Sequence, residues 1–163
     1  MAIVYMGAGA NHNPEENLRA GIRRLANSVA IQALSSVYET APVETDNGKS
    51  YLNMALKIET DLNPIDLKTL LRQIENAQGR LRVDESGQKS TVVALDFDIL
   101  LYDDVIDDKL PHSDILNYAH ATIPLAEIAP DVIHPITGDA IVTIARQLQG
   151  KKGIKRHKNI RIK

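Results

Sequence analysis

The chain has 163 residues, a length that predicts one domain around a single core, which we place at residues 1–150. It has no cysteine, which excludes disulfides, thiolate metal sites and cysteine nucleophiles. The first residues lack the pattern of a signal peptide, and no apolar run approaches the roughly 18 residues of a membrane span. We therefore expect a soluble, cytoplasmic protein that does not associate with membranes.

Charge is distributed unevenly along the chain. Residues 151–163 contain seven Lys and Arg and no acid, so the first 150 residues carry a net charge of −9 while the whole chain carries −2. This basic C-terminal tail fits either a phosphate or nucleic-acid patch or a solvated, partly disordered terminus, and the second is the commoner case. One Phe and no Trp leave little aromatic surface for base stacking, so we expect no nucleic-acid partner.

Hydrophobic periodicity and turn signals predict the elements in chain order. A strand over 2–10 leads into a helix that starts at Asn13-Pro14, with Asn13 as a plausible N-cap. Strands follow over 28–40 and 50–60, then a helix from Asn63-Pro64 to Gly79, and then a strand over 90–102. The four prolines of 107–139 indicate a loop-rich segment, and a last helix ends at Gly150.

This order of strands and helices predicts an α+β fold of the ferredoxin-like plan. In that plan a mostly antiparallel, four-stranded sheet carries its helices on one face.

Two acidic residues interrupt the last predicted strand. Asp96 and Asp98 point to the same face because side chains alternate along a strand, and neighbouring carboxylates repel unless a cation or a raised pKa relieves them. Mg²⁺ is commonly held by one or two carboxylates together with substrate phosphates. Arg80 and Arg82 precede this strand, and a guanidinium fork matches phosphate geometry. The alternatives are an exposed sheet face and ordinary basic charges at a helix end.

Seven short segments, ordered over residues 3–150, resemble the 6-hydroxymethyl-7,8-dihydropterin pyrophosphokinase family. The family's G-S-N and S-x-x-Y-x-T-x-P-x resemble residues 9–11 and 35–43, and its Y-L-N is intact at 51–53. Its I-E-x-x-x-G-R-x-R and L-D-x-D-I resemble residues 74–82 and 95–99. Its P-H and P-L-x-E-I-A-P blocks resemble residues 111–114 and 124–130.

The resemblance implies Mg-dependent transfer of pyrophosphate from ATP to the hydroxymethyl oxygen of the pterin, with release of AMP, in folate biosynthesis. Asp96 and Asp98 would hold two Mg²⁺ ions, and Arg80 and Arg82 would bind the triphosphate. The family positions near the nucleotide are matched by Glu75 and His112, and Lys89 would supply part of the charge of the catalytic loop.

The same resemblance implies a pterin site. Tyr51 would stack on the pterin ring, Asn53 would read its hydrogen-bonding edge together with backbone groups around Thr40, Pro42 and Val43, and His120 would replace a second stacking Phe. Each of these residues also has an ordinary structural reading, such as a half-buried strand aromatic, a turn former or a loop histidine.

Two segments depart from the family pattern. The loop that usually reads R-W-G-P-R-T before L-D lacks Trp and both Arg over residues 86–94, and the family's R-G-F is replaced at 118–120. Two alternatives therefore stay open beside the working enzyme: an impaired homologue that binds pterin or nucleotide, and a pyrophosphokinase for a related alcohol. A further alternative, which sets the family resemblance aside, is an RNA-binding domain that acts through its tail.

We expect a monomer or a weak homodimer.

Overall fold

The computed structural model describes residues 1–41, 49–150, 153–157 and 162. Six strands and five helices occupy these residues, in the order β1 (Ala2–Ala10), α1 (Pro14–Leu25), β2 (Ala30–Leu34), β3 (Tyr38–Thr40), β4 (Tyr51–Thr60), α2 (Pro64–Ala77), β5 (Asp96–Tyr102), α3 (Asp114–Asn117), α4 (Ala119–Ile128), α5 (Ile141–Leu148) and β6 (Ile154–Arg156). The α+β class predicted from the sequence is confirmed.

All strand pairings are antiparallel, and the sheet has the order β5-β1-β4-β3-β6, with β2 also paired to β4. The predicted count of four strands is wrong, and one reason is that the strand predicted over 28–40 is broken. At the break the backbone N–H of Ala55 donates to Oγ of Ser35 at 2.8 Å instead of to a backbone carbonyl. A side-chain acceptor thus interrupts the pairing with β4 at the point between β2 and β3.

The second reason is β6, which pairs with β3 as an additional strand. Residues 154–156 of the predicted solvated tail therefore belong to the sheet.

The predicted strand over 90–102 begins only at Asp96. Its first residues form a loop against the end of β1, where Oδ1 of Asn11 accepts from the backbone N–H of Val93 at 2.6 Å and Nδ2 of Asn11 donates to the carbonyl of Thr91 at 2.7 Å. The side chain of Asn11 therefore satisfies backbone groups that a strand would have paired.

Helices cover both faces of the sheet, so the prediction of helices on one face is wrong. One face packs α1 and α2 against alternate residues of β1, and the other packs α3, α4 and α5 against residues such as Ala55 and Leu100. Each face carries its own apolar side chains because residues alternate across a strand.

The segment 107–139, predicted as loop-rich, is mostly loop but also contains α3 and α4, which the prediction missed. Pro124 lies inside α4 and is buried, and Ala121 and Leu125 of this helix are buried in the same core as α5. Burial of this face offsets the roughly 3 kcal/mol that an internal proline costs a helix. The helix predicted to end at Gly150 is confirmed as α5.

The two Asn-Pro helix starts are both confirmed, but only one Asn side chain acts as a cap. Oδ1 of Asn63 accepts from the backbone N–H of Asp66 at 2.9 Å. Asn13 instead has a left-handed backbone with φ 37° and makes no side-chain capping bond, so its predicted capping role is wrong. Within the described ranges, no helix has both the length and the apolar character required to cross a membrane.

Candidate active site

A cavity of about 540 Å³ opens on the sheet face that α4 covers only in part. Residues from β1, β3, β4, β5, β6 and the turn between α3 and α4 form its walls. The cavity brings together six of the residues predicted from the sequence: Thr40, Tyr51, Asn53, Asp96, Asp98 and His120. Because these residues come from four separate segments, the fold assembles one site from them.

The floor of the cavity is bare sheet. Gly7 and Gly9 of β1 lie in the centre, and the register places Gly9 between Asn53 of β4 and Asp96 of β5. A Cβ atom on Gly9 would lie only 2.8 Å from Oδ1 of Asn53, which is closer than real Cβ contacts. Glycine at this position therefore leaves room both for the Asn53 side chain and for a ligand above the strand.

The amide of Asn53 is fixed on its other side. Its Nδ2 donates to Oγ1 of Thr40 at 3.0 Å, and the residue is 9% exposed. This bond holds the amide plane at the cavity wall. The two other residues predicted for this wall, Pro42 and Val43, lie outside the described residues.

Tyr118 and His120 form an aromatic pair in the cavity wall, which also includes Tyr51. Their rings stack with centroids 5.3 Å apart and an interplanar angle of 23°. Burial lowers the pKa of His120, and the nearby Asp114 opposes this effect. The imidazole is therefore biased toward its neutral form, which suits stacking on a flat ring.

Asp98 lies in a crowded acidic environment. Burial and the charges of Asp96 and Asp114 raise its pKa, His112 and Lys68 oppose them, and the result is a pKa of about 6. A carboxyl group with so raised a pKa is relieved by a bound cation. This electrostatic imbalance supports the prediction that Asp96 and Asp98 face a metal.

Among the described residues, a group of three candidate metal ligands overlaps the predicted pair at Asp98 only. Asp98, His112 and Asp114 each offer one ligand atom, and these atoms lie within 4.8 Å of one another. The Nε2 of His112 is 3.8 Å from Oδ1 of Asp98, and its Nδ1 is 3.6 Å from Oδ1 of Asp114. The sequence reasoning did not count Asp114 as a site residue, although the P-H-x-D spacing already placed it two residues after His112.

Glu75 and Arg82 form an ion pair next to β5. Oε2 of Glu75 accepts from Nη2 of Arg82 at 2.5 Å, and its Oε1 accepts from the backbone N–H of Phe97 at 2.7 Å. Burial is the largest of the effects that raise the pKa of Glu75, and the Phe97 N–H and Arg82 oppose it. Since Phe97 lies between Asp96 and Asp98, Glu75 fixes the strand that carries both aspartates.

Three predicted phosphate ligands lie away from the cavity walls. Arg82 also donates to Oδ1 of Asn76 at 2.8 Å, and Nη1 of Arg80 donates to the carbonyl of Leu81. Lys89 is exposed in a short hairpin, where its backbone bridges that of Val83. Among the described residues, the walls of this cavity do not include Arg80, Arg82 or Lys89.

A second cavity of about 500 Å³ has His112 in its lining, and Nε2 of His112 is 3.8 Å from Oδ1 of Asp98 in the lining of the first cavity. The charged lining residues of the second cavity are Lys68 and Arg72 of α2 and, in the loop after β5, Asp107, Asp108 and Lys109. His112 belongs both to this cavity and to the group around Asp98. The sequence analysis did not predict Lys68, Arg72 and Lys109 as site residues. Nothing in the sequence distinguishes them from ordinary charges on the polar face of a helix or in a loop.

Comparison of the chain with known proteins gives consistent matches. The sequence model described as "7,8-dihydro-6-hydroxymethylpterin-pyrophosphokinase (HPPK)" matches residues 5–130. A protein of Haemophilus influenzae named 2-amino-4-hydroxy-6-hydroxymethyldihydropteridine pyrophosphokinase is 34% identical over 162 residues, which cover 95% of this chain and 98% of that protein. A protein of Aquifex aeolicus with the same name is 36% identical over 141 residues, which cover 83% of this chain and 86% of that protein.

Solved structures show the same fold at low sequence identity. The crystal structure of wild-type Plasmodium falciparum HPPK-DHPS superposes with a TM-score of 0.73 and 13% identity, over 99% of this chain and 50% of that one. The chain thus spans about half the length of that longer protein. At this identity the likeness supports the fold alone, an antiparallel sheet with packed helices.

Proposed function

This chain belongs to the 7,8-dihydro-6-hydroxymethylpterin pyrophosphokinase family, and from that premise we propose how its residues carry out the family's reaction. The chain is an ATP-dependent pyrophosphokinase of folate biosynthesis. In the proposed reaction, the hydroxymethyl oxygen of 6-hydroxymethyl-7,8-dihydropterin attacks the β-phosphorus of ATP. The bond from that phosphorus to the oxygen bridging to the α-phosphorus breaks, AMP leaves, and the hydroxyl proton is released.

The pterin occupies the cavity of about 540 Å³, a volume typical of small-molecule sites. Tyr51 and His120 provide flat surfaces for the ring, and the amide of Asn53, held by Thr40, faces its hydrogen-bonding edge. Pro42 and Val43 remain proposed contributors through their backbone groups.

Magnesium binds at the acidic edge of the same cavity. Asp96 and Asp98 are the proposed ligands for up to two ions, with Asp114 and His112 close enough to Asp98 to take part. When bound, Mg²⁺ neutralises phosphate charge and orients the oxygens of the triphosphate. The donor set fits, because clustered carboxylates with a raised pKa gain most from a hard cation.

ATP lies along the second cavity, with its triphosphate toward His112. Lys68, Arg72 and Lys109 outnumber the two acidic residues of its lining, Asp107 and Asp108. His112 connects this cavity to the acidic group. In this arrangement the β-phosphorus comes to the boundary of the two cavities, where the pterin hydroxyl is also directed. Positioning and charge neutralisation supply most of the rate acceleration in such transfers.

Arg80, Arg82 and Lys89 remain the proposed triphosphate ligands from the loop after α2. Nη2 of Arg82 is already paired with Glu75. To bind phosphate, Arg82 would give up the hydrogen bond from its Nη1 to Asn76 and donate to a phosphate oxygen instead. Glu75 is assigned to holding Arg82 and β5 in place for the nucleotide rather than to touching ATP.

The observation that carries this proposal is the convergence of four pterin-site residues and two aspartates on one cavity. The test is to incubate the protein with Mg-ATP and 6-hydroxymethyl-7,8-dihydropterin, and to follow AMP and pterin pyrophosphate by ion-exchange chromatography, with Asp98→Ala as control. We expect AMP only with the pterin present and only from the unmutated protein. Binding of both ligands without AMP would contradict the proposal and favour a binding homologue or a different alcohol as substrate.

We also propose that the fold is an elaborated ferredoxin-like plan within a single domain, which extends past the predicted end at residue 150 because β6 pairs with β3. The order β5-β1-β4, with β2 and β3 sharing the far edge of β4, supports this. A cytoplasmic location and a monomer or weak homodimer remain predictions, and sedimentation velocity tests the second.

A further inference from the structure

We infer that the C-terminal strand β6 forms part of the substrate cavity and that Ile154 contacts the bound pterin. This inference rests on the proposed function and adds to it a specificity residue from the segment that the sequence analysis described as a basic C-terminal tail. Gly153 and Ile154 line the same cavity as Tyr51, Asn53 and His120.

The position of β6 follows from its pairing with β3. Ile154 pairs with Thr40, which lines the cavity and bonds to Asn53. Because residues paired across an antiparallel ladder point to the same face, Ile154 and Thr40 share the cavity face. The backbone N–H of Ala41 donates to the carbonyl of Gly153 at 2.7 Å, which extends the pairing to the cavity rim.

The start of β6 admits only glycine. Gly153 has φ +101°, a conformation that residues with a side chain rarely adopt, and a Cβ atom there would lie 3.0 Å from Cβ of Ala41. The two backbones thus approach closely at the point where they form the cavity wall.

A polar cluster of Ser36, Tyr38, Glu127 and Arg156 fastens the other end of β6 to α4. Oε2 of Glu127 accepts from the hydroxyl of Tyr38 at 2.7 Å, and its Oε1 accepts from Oγ of Ser36 at 2.8 Å. Nε of Arg156 donates to Oγ of Ser36 at 2.8 Å, and its Nη2 lies 3.7 Å from Oε1 of Glu127.

This cluster gives a role to motif residues that the pterin and ATP sites leave unused. Tyr38 and Glu127 lie in two of the segments that resemble the family, and neither belongs to the cavity walls among the described residues. The helix that carries Glu127 carries His120 at its N-terminal end. The cluster therefore sets β6 and the His120 wall in a fixed relation to each other.

The test measures the dissociation constant of 6-hydroxymethyl-7,8-dihydropterin by calorimetry, with saturating Mg²⁺ and α,β-methylene-ATP. Ile154→Ala removes apolar contact from the cavity, so we expect pterin affinity to fall on the order of tenfold. The affinity for the nucleotide analogue should not change. Lys155→Ala is the matched control on the same strand, because the Lys155 side chain is 75% exposed and pairs only weakly with Glu39 on the other face. It should leave pterin affinity unchanged.

Arg156→Ala tests the fastening of the strand. In the Arg156–Glu127 pair the Arg156 side chain is largely exposed, so we expect Arg156→Ala to lower pterin affinity about two- to fivefold. Arg156→Lys should restore it, because lysine keeps the charge and a donor for Ser36. Hydrogen exchange of the backbone amides of Ala41 and His157 gives a second measurement, which reports whether bound pterin protects the pairing of β6 with β3. These N–H groups donate to Gly153 and Val37, and their exchange should slow when pterin is added to the nucleotide complex.

The outcomes separate the two proposals. If the unmutated protein binds no pterin, both the proposed function and this inference are overturned. If it binds pterin and Ile154→Ala binds equally well, or the exchange at Ala41 and His157 is unaffected by pterin, only the role of β6 is overturned. A selective loss of pterin affinity in Ile154→Ala, with Lys155→Ala unchanged, supports it.

Discussion

Asp98→Asn should stabilise the metal-free protein at neutral pH while impairing Mg²⁺ binding. Burial, together with the charges of Asp96 and Asp114, raises the pKa of Asp98 to about 6. The ionised carboxylate therefore destabilises the folded state in the absence of a cation. Asparagine keeps the shape of the side chain and removes its charge, so the substitution relieves this repulsion.

The size of the effect follows from the pKa. The difference between about 6 and the ordinary value of 3.8 corresponds to about 3 kcal/mol. Because the Asp98 side chain is 39% exposed, solvent screening reduces the expected value to about 1 kcal/mol. We therefore expect Asp98→Asn to raise the free energy of unfolding by about 1 kcal/mol at pH 7.5 in EDTA.

The sign of the pH dependence is fixed by the direction of the shift. Well below the ordinary pKa of 3.8, Asp98 is protonated in both the folded and the unfolded state, and the repulsion is absent. As the pH rises from about 4 to about 6, the unfolded state ionises first, so the free energy of unfolding of the unmutated protein falls. Asp98→Asn should lack this part of the fall.

Urea unfolding followed by circular dichroism gives the free energy of unfolding of the unmutated protein and of Asp98→Asn. Measurements at pH 4.5 and 7.5 test both the stabilisation by Asp98→Asn and its dependence on pH. In a second series Mg²⁺ replaces EDTA. Mg²⁺ at ten times its dissociation constant should stabilise the unmutated protein by about 1.4 kcal/mol. It should stabilise Asp98→Asn far less. If Asp98→Asn is less stable than the unmutated protein at pH 7.5 in EDTA, the electrostatic reasoning is refuted.

Three further predictions concern the cavity and its support. Gly9→Ala should raise the KM for pterin on the order of tenfold and leave the KM for ATP unchanged, because the new Cβ would lie 2.8 Å from Oδ1 of Asn53. Steady-state kinetics measures both KM values, and equal effects on the two would argue against this reasoning. Glu75→Gln should lower the free energy of unfolding by about 1–2 kcal/mol in urea titrations, because one amide oxygen cannot replace the carboxylate that bonds both Arg82 and the Phe97 N–H. His120→Ala should weaken pterin binding about tenfold in calorimetry through loss of a stacking surface, and His120→Phe should restore it; equal binding by His120→Ala would exclude stacking.

The sequence alone was sufficient for the α+β class and the helices that start after Asn13 and Asn63. Hydrophobic periodicity and proline at the first helical position are local signals, and α1 and α2 follow them directly. The spacing of Asp96 and Asp98 likewise placed both on one strand face, because the side-chain period of a strand is two.

The strand breaks and the helix with an internal proline depended on tertiary contacts. The bond from the Ala55 N–H to Ser35 joins residues 20 positions apart, and Asn11 bonds to Thr91 and Val93 more than 75 positions away, so no local pattern reveals them. In α4, buried packing against α5 outweighs the cost of Pro124.

In the candidate active site, too, the sequence predicted some features and the tertiary structure decided others. The residue types of Asp98, His112 and Asp114 were readable, but their grouping within 4.8 Å required β5 and the α3 start to meet in space. Pairing of β6 with β3 likewise placed Ile154 at the cavity, although its sequence context is a basic tail. Local chemistry in the sequence thus determined which residues could act, whereas long-range pairing and packing decided which of them share one site.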